Sequence, residues 1–193
     1  MIRKLRTITP ILIAAILLTG VWVTIGHAAP DAGPVTVSIT PSDTTVAKGD
    51  IFTVAIHLET DTDGVDSFET YVDFDPDYLR VVDPATGLEG DQIIPAGAFQ
   101  LEIEHEADNA AGEVRYSAVT ISGDPPSGNI DVAYIPLKAI SPTAETSLTF
   151  RGTVANFGGQ ALPLTILSGT LEVNELYDLT VVADPPEGGS VTG

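Results

Sequence analysis

From Val35 onward, apolar and polar residues alternate with a period of two in short runs. Val35, Val37 and Ile39 alternate with Thr36 and Ser38, and Phe52, Val54, Ile56 and Leu58 with Thr53, Ala55 and His57. Phe68, Thr70, Val72 and Phe74 share one side of the next run, with Glu69, Tyr71 and Asp73 opposite. Leu101 and Ile103 alternate with Glu102 and Glu104, and Val114, Tyr116 and Ala118 with Arg115 and Ser117. Ile135, Leu137 and Ala139, then Leu148 and Phe150, then Leu162, Leu164 and Ile166, then Leu171 and Val173 complete the series. This period puts the apolar set of each run on one face, as half-buried strands require, and predicts about nine of them. Tyr116 falls on the core side by this count.

Turn residues separate the runs: Lys48-Gly49-Asp50, Asp63-Gly64, Ala111-Gly112, Gly123-Asp124-Pro125-Pro126 and Gly158-Gly159. No long helical repeat occurs in this part, and Pro95 and Gly97 argue against a helix between Gly87 and Gln100. Many short strands with regular punctuation predict an all-β sandwich. Pro136 lies within an apolar run, which predicts an edge strand or a bulge there.

The two ends differ from this middle. Arg3, Lys4 and Arg6 precede the apolar run Ile11–Ile25, and Gly26-His27-Ala28 supplies small residues for cleavage. Residues 1–28 therefore read as a secretory signal-peptide helix, shorter than the roughly 20 apolar residues of a spanning segment. An uncleaved membrane anchor is the alternative. Residues 29–34 form a short leader. Residues 174–193 read as a linker and the start of a surface β-repeat, through Leu179-Thr180-Val181-Val182 and the Pro/Gly-rich stretch after it.

Charge and cysteine content narrow the function classes. Only five cations, Lys48, Arg80, Arg115, Lys138 and Arg151, follow the basic start, against 27 Asp and Glu. Such a surface repels phosphate backbones, which excludes nucleic acid as a partner. The absence of cysteine excludes disulfides, thiol catalysis and cysteine metal sites.

Catalytic chemistry finds no motif. There is no Gly-x-Ser-x-Gly elbow. His57 sits on the outward side of a strand and His105 follows an acidic one, so both read as surface residues. Asp61-Thr62-Asp63-Gly64-Val65-Asp66 resembles a calcium loop, but an EF-hand needs a bidentate Glu six residues past its glycine, where this chain has Thr70. A calcium site built from loop carboxylates in another geometry stays open. Sugar binding uses exposed rings. Trp22 lies in the signal, which leaves Tyr71 as the outward ring.

One stretch carries more than pattern. Ser67-Phe68-Glu69-Thr70-Tyr71-Val72-Asp73-Phe74-Asp75-Pro76-Asp77-Tyr78-Leu79-Arg80-Val81-Val82 resembles the cohesin signature, an alternating strand ending in aromatic-Asp-Pro, then two residues, then Leu-x-Val. Val46–Val54 with its Gly-Asp turn, Gly112–Ser117 and Gly169–Val173 are similar to further strands of that family. Ile135-Pro136-Leu137 departs from it by its proline. The resemblance covers residues 35–173 and implies a non-catalytic jelly-roll sandwich needing no cofactor. It implies a dockerin-like protein partner in an extracellular assembly that breaks down polysaccharide. A carbohydrate-binding module or a structural spacer on the same scaffold are the alternatives. The implied partner face comprises Ser67, Glu69, Tyr71 and Asp73 with Arg115, Ser117 and Val119 from the neighbouring strand.

Overall fold

The computed structural model describes residues 33–60 and 64–177. The signal segment, most of the leader, three residues of the acidic loop and the tail after residue 177 lie outside them.

Every element among the described residues is a strand. They are β1 (Val35–Thr40), β2 (Asp43–Ala47), β3 (Ile51–Glu59), β4 (Ser67–Asp73), β5 (Leu79–Val81), β6 (Ile94–Pro95), β7 (Leu101–Asp108), β8 (Glu113–Val119), β9 (Asn129–Ala139), β10 (Thr143–Phe157), β11 (Gln160–Ala161), β12 (Leu164–Leu167) and β13 (Gly169–Asn174). One sheet runs β12-β1-β3-β9-β5, with β6 also on β9, and the other runs β2-β13-β10-β4-β8-β7, with β11 on β10. The nine expected runs are all present. The other four strands (β2, β5, β6 and β11) are too short or too polar for alternation to register.

The two sheets face each other across one core. Val37, Ile39, Ile56, Leu58, Ile135 and Leu137 come from the first sheet, and Phe68, Val72, Val114, Tyr116, Leu148 and Leu171 from the second, all buried. The chain closes through parallel pairs, β1 with β12 and β2 with β13, so each sheet joins one of the first two strands to one of the last two.

Pro136 lies in β9, a central strand, and not at an edge. Its carbonyl oxygen accepts from the Val82 N–H at 3.0 Å, so its missing donor points to the same side. On that side β9 changes neighbour, from β5 at Leu137 to β6 at Tyr134. The proline occupies this seam, where no ladder hydrogen bond is lost. The bulge between β3 and β9 is elsewhere, between Ile56 and His57.

A strap from Val82 to Ala96 laces the two sheets along one side. Gly90 N–H donates to the Val81 carbonyl at 3.0 Å and Ala96 N–H to that of Val132 at 3.0 Å. The same segment meets β7: Ile93 N–H donates to the His105 carbonyl at 3.1 Å, and Ala107 N–H to that of Asp91 at 2.7 Å. Asn109 holds it from below, its Oδ1 accepting from Val81 N–H at 2.7 Å and its Nδ2 donating to the Gly90 carbonyl at 3.1 Å.

Candidate partner-binding face

The outer surface of β10, β4, β8 and β7 is built by register. In β4, Phe68, Thr70, Val72 and the following Phe74 turn inward, which leaves Ser67, Glu69, Tyr71 and Asp73 outside. The β4–β8 ladder pairs Ser67 with Val119, Glu69 with Ser117, Tyr71 with Arg115 and Asp73 with Glu113. All seven residues expected from the sequence therefore stand on two adjacent strands of one face. Thr70, the residue that displaces an EF-hand glutamate, is buried and shares a 2.7 Å hydrogen bond with Thr153.

One end of this face is a lattice of charges. Arg151 of β10 donates to both carboxylate oxygens of Asp73, at 3.1 and 3.2 Å, and also binds Glu113. Arg115 Nε donates to Glu113 at 2.6 Å, and its Nη1 lies 3.7 Å from Glu104. The hydrogen bond that Arg151 donates to Asp73, and the one that Arg115 donates to Glu113, raise both guanidinium pKa values further. Each arginine thus bridges two carboxylates. Arg151 also lies over the Tyr71 ring, 4.7 Å from its centroid. The β10 bulge makes room for that ring: Gly152 has φ +62°, and a Cβ there would stand 3.2 Å from Tyr71 Cδ2.

The other end is apolar, and β7 makes it so against the sequence pattern. His105 pairs with the buried Tyr116, and Ala107 with Val114, so both face inward. A regular strand would then carry Ile103 and Leu101 inward too. A bulge between Glu102 and Glu104 breaks the phase. Leu101 pairs with Val119 on the outer face, and Glu102 turns inward opposite Ala118. Leu101 is 46% exposed and Ile103 65%. Ile103, Val119 and, from β10, the 40% exposed Val154 border a cleft of about 320 Å³ that Ser67, Glu69, Ser117 and Asn156 also line.

The bulge turns Glu102 into the interior, where His105 and Tyr116 already face. Glu102 Oε1, His105 Nδ1 and the Tyr116 hydroxyl are buried without a protein hydrogen-bond partner. His105 is thus a member of β7 turned toward the core, not a surface residue after the strand. Burial, and then the charge of Glu102, push the Tyr116 hydroxyl well above the usual tyrosine range. A raised folded-state pKa contributes stability that is whole below about pH 10, the unfolded value, and is lost as pH rises beyond it. Tyr116→Phe is expected to keep its stability at pH 7 within about 1 kcal/mol, since the hydroxyl has no partner to lose. It should also show a flatter decline between pH 9 and 11 than the parent, read from urea midpoints at each pH.

The opposite sheet carries a row of Ser38, His57 and Asp131, each paired with the next across β1, β3 and β9. His57 Nδ1 lies 2.7 Å from Asp131 Oδ1, and the Tyr134 hydroxyl donates to Oδ2 at 3.3 Å. No hydrogen bond joins Ser38 to His57 among the described residues, and β1 is paired on both sides.

A family model for the cohesin domain matches residues 35–173. The chain belongs to the cohesin family. No curated protein matches it. Among solved structures it is similar to a non-cellulosomal cohesin from the hyperthermophilic archaeon Archaeoglobus fulgidus, at 14% identity and a TM-score of 0.58, covering 74% of this chain and 92% of that one. A type II cohesin domain from the cellulosome of Acetivibrio cellulolyticus gives 17% identity and 0.59, covering 72% and 95%. A chain of a type I cohesin–dockerin complex from Clostridium thermocellum gives 13% and 0.60, covering 78% and 100%. At these identities the structures attest the fold, a jelly-roll sandwich.

In this cohesin the sequence located β4 and β8 correctly but missed what surrounds them. Arg151 and Glu113, which hold Asp73 and Arg115, and the aliphatics Leu101, Ile103 and Val154 are residues that the alternation did not place on the outer face. Tyr71, the ring available to a sugar, has Arg151 over it and no second exposed ring on this face among the described residues.

Proposed function

We propose that this cohesin is a non-catalytic docking module that takes a dockerin-like protein on the outer face of β10-β4-β8-β7. The reading extends to export, through the signal-like residues 1–28, into an assembly at the cell surface or in the medium. The observation that carries it is the outer face itself: a continuous four-stranded surface whose exposed aliphatics surround Glu69. Single exposed aliphatics are ordinary, but a contiguous group rimmed by polar side chains marks an interaction surface. The family and the dockerin-bound structures similar to this chain support the choice of partner.

Capture is the test. The immobilised chain is incubated with a panel of purified dockerin modules, in calcium and in EDTA, and in parallel with insoluble polysaccharides. Calcium-dependent retention of a dockerin, lost in Ser117→Arg, is the expected result. Retention on polysaccharide alone would replace this reading with a carbohydrate-binding module. Retention of nothing would leave a structural spacer.

A further inference from the structure

Each sheet ends in two edge strands, and three of the four edges are covered or charged. The strap meets β7 through Ile93 and Ala107. β5 carries Arg80, ion-paired to Glu89 at 3.4 Å. β2 starts at Asp43, beside Glu145 and Glu172. The fourth edge, β12, has neither protection, although natural sheets ordinarily blunt their edges in these ways. It pairs with β1, and among the described residues no backbone hydrogen bond reaches it from the other side. Residues 32–42, which include β1, and 152–171, which include β12, contain no Asp, Glu, Lys or Arg, in a chain of formal net charge −19. Strand order sets these two charge-free stretches side by side, and the first charged side chain along the sheet from this edge is Glu59 of β3, beyond β1. Ile166 is the residue left open. Val35 N–H donates to the Pro163 carbonyl at 2.9 Å. Backbone groups alternate along a strand, so Thr165 and Leu167 also turn theirs toward β1, while Leu164 and Ile166 present N–H and C=O outward. The Ile166 side chain pairs with the buried Val37 and shares its inward side, yet is 44% exposed because no strand lies beyond it.

We infer that β12 is a self-association edge, on which a second copy of this chain pairs antiparallel about a two-fold axis at Ile166. Three features select this occupant. Open N–H and C=O groups on an edge are satisfied by another strand. The absence of charge favours an uncharged one. Two copies of so acidic a chain repel wherever their carboxylates meet, and β12 against β12 brings no like charges together. Symmetry then closes the contact: Ile166 stands opposite its own copy, and each donates its outward N–H to the other's carbonyl. The two isoleucine side chains cover one another at the rim of the core. β12 is 4 residues long, so the contact falls below the roughly 1,200 Å² of a stable complex and pairs weakly, with a Kd of about 10–100 µM. It acts where copies are concentrated. The edge belongs to the sheet opposite the proposed docking face, so a copy seated there leaves β10-β4-β8-β7 open.

Sedimentation velocity of the full-length chain, in a series up to about 500 µM, is expected to show monomer and dimer in concentration-dependent exchange. Raising NaCl from about 50 to about 500 mM should tighten the dimer severalfold, because screening removes the repulsion between the acidic bodies, whereas an interface of ion pairs would loosen. Ile166→Pro is the decisive variant. It removes the outward N–H, keeps the ladder to β1 and an apolar surface, and should abolish the dimer. Ile166→Lys should do the same through charge, and Ile166→Val should retain the dimer. Unchanged thermal unfolding shows that the variants fold. The chain has no cysteine, so Ile166→Cys places one thiol on each molecule. Opposed Cα atoms of a hydrogen-bonded pair lie about 5.5 Å apart, within disulfide reach. In oxidised glutathione this variant should form linked dimers at least tenfold faster than Leu88→Cys, whose site in the strap is 70% exposed. A chain that stays monomeric throughout the series, or a dimer unaffected by Ile166→Pro, would overturn the inference. A monomeric chain that binds an uncharged, fluorescein-labelled β-strand peptide, and loses it in Ile166→Pro, would assign the edge to a foreign strand and overturn the second copy.

Discussion

Gly112→Ala is expected to lower the urea midpoint drastically, with a loss of at least about 3 kcal/mol. Gly112 has φ +70°, and a Cβ there would lie 2.8 Å from Pro76 Cδ and closer still to the Phe74 carbonyl oxygen. Two costs combine. An L side chain in the left-handed region costs about 1–2 kcal/mol, and the clash is with backbone, which cannot rotate away. Relief requires separating the β7–β8 turn from the Phe74-Asp75-Pro76 turn, which the Phe74 N–H ties to the Gly112 carbonyl at 2.8 Å. Typical domains hold only about 5–15 kcal/mol in total. Gly97→Ala gives the comparison, because that glycine shares a positive φ but a Cβ there meets nothing within 4 Å. Its loss should stay near the conformational cost alone.

Phe68→Ala is expected to cost about 3–5 kcal/mol by the same measurement. The ring is buried on the inner side of β4, its centroid 6.2 Å from that of Tyr116 in a tilted arrangement. Its removal leaves a cavity between two sheets whose ladders resist collapse. The informative partner experiment is Ile103→Ala. If the β7 bulge sets the phase described above, truncating this solvent-facing isoleucine should change stability by no more than about 0.5 kcal/mol. A loss of 2 kcal/mol or more, of the order seen for buried isoleucine, would mean that β7 keeps its regular phase and that the cleft does not exist.

That contrast also shows where the sequence was readable. In β4 and β8, period two, glycine turns and the Asp-Pro stop agree, so the outward positions from Ser67 to Asp73 and from Arg115 to Val119 follow directly. In β7 the same reasoning sorts Leu101 and Ile103 onto one side and Glu102 and Glu104 onto the other, a regular amphipathic strand with His105 after it. Nothing in eight residues announces an extra residue in the ladder, and the rule that aliphatics go inside then misplaces Leu101 and Ile103. The Arg151 lattice was hidden for a different reason. It depends on which strand lies beside β4, and that neighbour, β10, begins some seventy residues later. Pro136 was misread because a proline excludes a donor, not a central position. A seam between two short neighbours satisfies it as well as an edge does.

The strap from Val82 to Ala96 bears on how molecules of this kind behave when crowded. Each sheet of a sandwich ends in a strand with unsatisfied backbone groups, a template for another chain. Here one segment occupies the outer side of β9 and reaches across to cover β7 from His105 to Ala107. The part of β7 left open carries Glu104 on its outer side, which resists an incoming strand of this acidic chain. On this flank, copies held at high local density should remain separate folded units and not exchange strands.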